Sequence, residues 1–254
     1  MIRNLDMKKW VGYFQKNGCD RPEPDWKGPI EIGDTVRPYL VQSLREFQLG
    51  DGGGPASLIA WNAARWRKSL PGLEEVVDLW FEEEKEHSRL LGGLLERYGV
   101  EPIEGHWSFS LFCWIRRLLG VRFELQVLTL TELSSTAYYR LLKQYGTDSC
   151  LREVCGLILR DEAGHLAFQH DRLVAAGAPG GFWSWLWRAQ FRLCGWGAAS
   201  VLWLSHGACL RRMGATTRTF YAEAGMQFSS FLDRIDRTAV TKESIPARAF
   251  YDPV

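Results

Sequence analysis

Glu84-Lys85-Glu86-His87 and Glu162-Ala163-Gly164-His165 each set an imidazole three residues after a carboxylate, inside stretches with helical period. With 18 glutamates and 5 histidines in the chain, chance supplies about 0.35 such pairs, so two of them suggest a shared purpose. Residues three and four apart on a helix share a face. Leu73, Val77 and Trp80 lead into Glu84 and His87, and Leu91 and Leu94 continue the stripe, so the acid and the imidazole point at the core. Leu151, Val154, Cys155 and Ile158 lead in the same way into Glu162 and His165, and the stripe resumes near Phe168 and Leu173. A buried carboxylate beside an imidazole is costly unless something satisfies both, and a metal ion does so.

Two more acids belong to this pattern. Leu125 and Leu128 precede Glu132, and Ser135, Tyr139 and Leu142 follow it on one face, which makes Glu132 a third core carboxylate. Reflecting Glu162 through the turn at 146 to 148 lands close to Glu132, at one depth in an antiparallel pair. For the fourth acid, Asp51 and Glu46 compete. Leu40, Leu44 and Phe47 lead to Asp51 and on to Leu58, whereas Glu46 falls beside Tyr39 and Ser43 on a mixed face, so Asp51 is preferred and Glu46 is the fallback. Reflection of Glu84 through Pro71-Gly72 reaches residue 59 rather than 51, and Gly52-Gly53-Gly54-Pro55 is expected to break or bulge the helix there.

The fold class expected is all-α. Helices are predicted over 35 to 50, 56 to 69, 73 to 98, 107 to 119, 121 to 145, 148 to 176, 182 to 213 and 215 to 235, with no alternating pattern that would make a sheet. Asp148 or Ser149 is a good N-cap for the sixth of these. Residues 1–34, rich in Pro, Gly and charge, read as an arm over the body; 35–176 form a four-helix bundle, and 177–254 add aromatic-rich helices packed on it. At 254 residues and 46% hydrophobic content, one large core is expected. The net charge of +1 gives no reason to expect nucleic acid as a partner. Six cysteines without a C-x-x-C pair read as reduced packing residues. The N-terminus lacks the apolar run of a secretory signal, and a cytoplasmic location is expected, with membrane association left open.

The order Asp51, Glu84 with His87, Glu132, Glu162 with His165 resembles the ferritin-like di-iron carboxylate superfamily, which includes rubrerythrins and di-iron oxygenases. Phe47-Gln48-Leu49-Gly50-Asp51 looks like the first-helix segment of rubrerythrin-type members, and the departure is the Gly-Gly-Gly-Pro that follows. The likeness covers roughly residues 36 to 176. It implies a ferritin-like bundle and two iron ions, or a manganese and iron pair, with Glu84 and Glu162 bridging and Asp51 and Glu132 terminal. It also implies that Asp161 accepts from His87 and Glu83 from His165, since a metal-bound imidazole ordinarily has such a partner. For Glu83 the competing reading is a solvated run with Glu82, Glu84 and Glu86.

Several residues have plainer readings. Tyr138 and Tyr139 follow Glu132 by one to two turns; core packing is the favoured role, with proton or radical transfer at Tyr139 as the alternative. His106, His170 and His206 read as ordinary hydrogen-bonding histidines. Phe182-Trp183-Ser184-Trp185-Leu186-Trp187-Arg188, with the uncharged run from Leu193 to Leu210, approaches the minimum for a membrane span. A greasy channel, a homodimer face or a peripheral membrane contact through 182–213 is preferred to a span.

The leading expectation is therefore a di-iron oxygenase or oxidase that takes dioxygen and an apolar or lipid-like small molecule, with an electron donor that the sequence does not name. The alternatives are an iron- or peroxide-handling protein of ferritin or rubrerythrin type, and a non-catalytic helical protein with a degenerate metal site.

Overall fold

A computed structural model describes residues 5–52, 57–177 and 181–241, and among these every regular element is helical. In chain order they are α1 (Met7–Cys19), α2 (Arg37–Gly52), α3 (Ala63–Arg67), α4 (Leu73–Arg97), α5 (Trp107–Arg117), α6 (Val121–Tyr145), α7 (Ser149–Ala176), α8 (Gly181–Met213) and α9 (Thr217–Thr241).

Four long helices make the centre. α2 lies along α4, α6 lies along α7, and α4 packs against α7 to join the two pairs. α7 is the most enclosed, with every residue from Asp161 to His170 buried, because α1, α4, α6 and α9 surround it. Its start is fixed by Asp148, whose side chain accepts from Leu151 N at 2.9 Å and from Arg97 at 3.1 Å. α8 and α9 cover the outer side of α6, and α9 buries the stripe Phe220, Ala224, Phe228, Phe231, Leu232 and Ile235.

The segment read as an arm contains a helix. Asp6 caps α1 by accepting from Lys9 N at 3.0 Å, and Met7, Trp10 and Phe14 form a buried stripe against α4 and α7. Trp10 meets Phe168 edge-on at 5.5 Å and Phe14 lies 6.0 Å from the His165 ring. The prolines follow this helix, and Gly12 and Gly18 lie within it without breaking it.

The expected helix over 56 to 69 shrinks to α3. The backbone N–H groups of Ile59 and Ala60 are taken by the buried carboxylate of Glu124, at 2.7 and 2.9 Å, and not by a helical ladder. Arg116 closes this unit, donating to Glu124 at 3.0 Å and to the Ser57 carbonyl at 2.8 Å. So α2 and α4 are not joined as a simple hairpin, which is why reflection through Pro71-Gly72 missed Asp51. Gly52 is still helical, and a Cβ there would sit 2.0 Å from Ser88 Oγ, so α2 closes tightly on α4 beside Asp51. The expected break lies partly at Gly53–Pro55, outside the described residues. α9 runs six residues past the expected end at 235.

Of the cysteines, Cys150, Cys155 and Cys209 are buried, but Cys19 and Cys194 are exposed, so packing accounts for only part of the set.

Candidate metal centre

Glu84 and His87 on α4, and Glu162 and His165 on α7, face each other across the middle of the bundle. Within each motif the helical spacing brings the pair together: Glu84 Oε2 is 3.6 Å from His87 Nδ1, and Glu162 Oε2 is 3.5 Å from His165 Nδ1. Across the helices, Glu84 Oε1 is 3.3 Å from His165 Nδ1. α2 adds Asp51 and α6 adds Glu132. The donor atoms fall into two groups, Asp51 with Glu84 and His87, and Glu84 with Glu132 and His165, each spanning no more than 4.8 Å. Glu84 belongs to both groups.

Both imidazoles turn Nδ1 inward and Nε2 outward. Nε2 of His165 lies 3.0 Å from Glu83 Oε2, and Nε2 of His87 lies 3.4 Å from Asp161 Oδ2. Glu83 is buried although Glu82 beside it is exposed, so the acidic run of α4 is not one solvated face. α1 and the residues after it add two groups that no sequence pattern announced. Asn17 Nδ2 donates to Glu83 Oε1 at 2.7 Å and to Asp161 Oδ1 at 2.8 Å. Arg21 sits 3.1 Å from Glu83 and 3.3 Å from Asp161. The Met7, Trp10, Phe14 stripe was readable as a helix; its contact with these acids depends on where that helix docks. Gly164 makes the docking possible, because a Cβ there would lie 2.5 Å from the Tyr13 ring.

The centre contains many buried polar atoms without a hydrogen-bond partner: both ring nitrogens of His87, Nδ1 of His165, both carboxylate oxygens of Glu132, Oε2 of Glu162 and the Tyr139 hydroxyl. Polar atoms left this way cost free energy, and a cluster of them facing one point needs an explanation. Burial, reinforced by the charge of Glu84, holds the Asp51 carboxyl well above the usual range. Burial also raises Glu132 and Glu162. In the two histidines burial opposes the charged form but is overcome, by Asp161 and Glu84 for His87 and by Glu162 and Glu83 for His165, so both are raised. These shifts favour a bound proton on every one of these groups, whereas the imidazoles beside Glu84 lower its carboxyl against the effect of burial; a metal ion would compete with those protons while satisfying the orphaned oxygens and nitrogens. The donor set fits a pair of carboxylate-bound ions.

Glu46 lies elsewhere. Its oxygens are 3.6 Å from His106 Nε2 and 3.8 Å from His206 Nε2, and it accepts from Gln42 at 2.9 Å, so it is in neither donor group. His206 is buried and its Nδ1 is 2.8 Å from Ser43 Oγ, while His170 is held by Asp171 and Thr238. Tyr138 stacks on Phe47 at 4.3 Å between centroids, whereas the Tyr139 hydroxyl is buried without a partner and is raised by burial first and then by the charge of Asp51.

A cavity of about 480 Å³ adjoins the centre. Asp51, Glu84, Glu132 and Glu162 lie at its floor; Phe109, Phe112, Phe123, Val127 and Leu202 are among the apolar side chains of its walls, and Glu46 and His206 also line it. α5 and α8, both packed on α6, supply its two sides.

Compared with protein-family models, with curated proteins and with solved structures, the chain matches none.

Proposed function

We propose that this chain is a ferritin-like di-metal carboxylate oxidoreductase that uses dioxygen to oxidise an apolar small molecule. The observation that carries the reading is the largely apolar cavity lined by four carboxylates, of which Glu132 has both oxygens and Glu162 one oxygen buried without a hydrogen-bond partner. Storage or detoxification of iron needs the carboxylates but not an apolar chamber of this size. A degenerate site would have no reason to keep so many unsatisfied polar atoms together.

Glu84 would link the two ions, Asp51 and His87 would complete one side, and Glu132 and His165 the other, with Glu162 alongside. Glu83 and Asp161 would hold the outer imidazole nitrogens and keep each inner nitrogen free for the metal. Phe109, Phe112 and Phe123 would exclude water and seat the substrate beside Glu132. Tyr139, with its hydroxyl buried and without a partner, is the protein group positioned to hold a proton near Asp51 and Glu162. Oxygen-rich donors favour iron or manganese over zinc, and bound iron would supply the oxygen and electron chemistry that side chains lack.

The test is anaerobic ferrous loading followed by exposure to oxygen, with metal content and oxygen uptake measured with and without apolar additives such as medium-chain alkanes, fatty acids and quinones. The reading expects about two ions per chain and uptake that an additive stimulates. Glu162→Ala is expected to lose both; a metal-replete, active Glu162→Ala protein would overturn the assignment. Oxygen uptake that yields only ferric mineral would move the protein to the iron-handling class.

A further inference from the structure

The outer faces of α5 and α8 are unusually bare. Along α5, Trp107, Leu111, Trp114 and Leu118 recur at helical spacing and are all exposed, and Leu119 beyond the helix is 72% exposed. Along α8, Phe182, Trp185, Leu186, Leu193, Val201 and Leu204 are exposed, the last two-thirds of the way along at 80%. Trp61, 79% exposed, stands beside Gly120 and extends the α5 side. Leu111 of α5 and Cys194, Gly197 and Val201 of α8 are at once exposed and part of the cavity lining, so the two stripes flank one mouth.

Charge selects what covers this face. From Trp107 to Phe123 and from Gly181 to Met213 every charged residue is arginine: 116, 117, 122, 188, 192, 211 and 212. Arg116 is used by Glu124 and Arg188 by Asp236, whereas Arg117, Arg122 and Arg192 are exposed. A second copy docked on this face by a two-fold axis would set the exposed Arg117, Arg122 and Arg192 against segments that carry no acid of their own, which opposes a dimer. Tryptophans amid leucines, on segments whose charged residues are all arginine, match an anionic bilayer, with the indoles at the headgroup level and the guanidinium groups on lipid phosphates. α8 is long and apolar enough to cross a bilayer. Its other side, Phe191, Ala199, Trp203 and Leu210, is buried against the bundle, so it presents one face and lies on the surface.

We propose that the α5–α8 face seats this protein on the surface of an anionic lipid bilayer, with the cavity mouth against the acyl layer. The docking stands on the surface alone; that an apolar substrate enters from the bilayer rests on the proposed function.

Co-sedimentation of the full, metal-free chain with phosphatidylcholine vesicles, and with vesicles containing phosphatidylglycerol, separates the two ideas. Three basic residues near an anionic surface correspond to roughly 100-fold tighter partitioning into the anionic vesicles at low salt, weakening as salt is raised. Arg117→Glu with Arg192→Glu is expected to abolish the preference for anionic lipid. Trp114→Ser with Leu119→Ser and Leu204→Ser, all at exposed positions, is expected to lose binding while keeping the helical circular dichroism of the parent. No sedimentation with either vesicle, sedimentation that neither variant changes, or a stable dimer that hides the face and leaves vesicles unbound would each overturn the proposal. Vesicle binding by a protein that proves to hold no metal would leave the docking intact and remove the oxidoreductase.

Discussion

Asn17→Ala tests whether the first helix is part of the candidate metal centre or only a cover. One amide group spans the two acids behind the histidines, 2.7 Å from Glu83 and 2.8 Å from Asp161. Each acid is almost fully buried, at 3% and 1% exposure, so neither can turn to solvent when the amide is removed. A hydrogen bond to a charged group contributes about 1.5–3 kcal/mol, which sets an upper bound of about 3–6 kcal/mol for the pair. Arg21, 3.1 and 3.3 Å away, still faces both carboxylates in the variant, so the expected loss is roughly 2–3 kcal/mol. In a chain of this size that is a fall in Tm of roughly 5–10 °C. Urea unfolding of the metal-free protein measures the first effect. A manganese titration of the folded variant measures the second, an affinity reduced about 10- to 100-fold because the acids no longer hold the imidazoles square to the ions. A purely structural Asn17 would lower stability and leave the affinity of the folded protein unchanged. Stability within about 0.5 kcal/mol of the parent, or an unaltered affinity, would refute the reasoning.

Because Glu84 lies in both donor groups, Glu84→Ala is expected to lose both ions, while Asp51→Ala and Glu132→Ala each keep about one, read by equilibrium dialysis; a Glu84→Ala protein with its full complement would contradict the sharing. Gly164→Ala is expected to cost about 1–3 kcal/mol from overpacking against Tyr13, despite the better helix propensity of alanine, and Tyr13→Ala in the same chain should restore it. A neutral Gly164→Ala would mean that α1 sits farther away. His206 is pushed down to about 3, by burial first and then by the charge of His106. Its folded value is below its unfolded one, so the folded state holds fewer protons between about pH 6.5 and 3, and stability falls as the pH drops through that window. The contribution to the slope is at most about 1.4 kcal/mol per pH unit, and His206→Gln should flatten it; parallel stability curves for parent and variant would count against a neutral buried His206.

The helical class and the inward faces were legible because periodicity is local. Glu84, His87, Glu132, Glu162 and His165 each stand on an apolar stripe, and three or four residues of spacing fix which side they face whatever the partner. Between Asp51 and Glu46 the stripe only preferred Asp51, against register counting through Pro71-Gly72, and in the structure Glu46 faces His106 and His206. Residues 57–60 misled the reading, since their apolar pattern suits a helix but a buried carboxylate from a distant segment captures their N–H groups.

The sequence by itself determined an all-helical protein with acids and imidazoles turned inward, since that needs only the pitch of a helix and the cost of burying polarity. Tertiary structure decided that Asn17 and Arg21 stand behind the histidines, that one carboxylate belongs to both donor groups, and that an apolar cavity opens between α5 and α8. Those outcomes depend on the rotation and offset of whole helices about each other. These are set by shape matching at distant contacts such as Gly164 with Tyr13 and Gly52 with Ser88, where a missing Cβ lets two elements close and no neighbouring residue announces it.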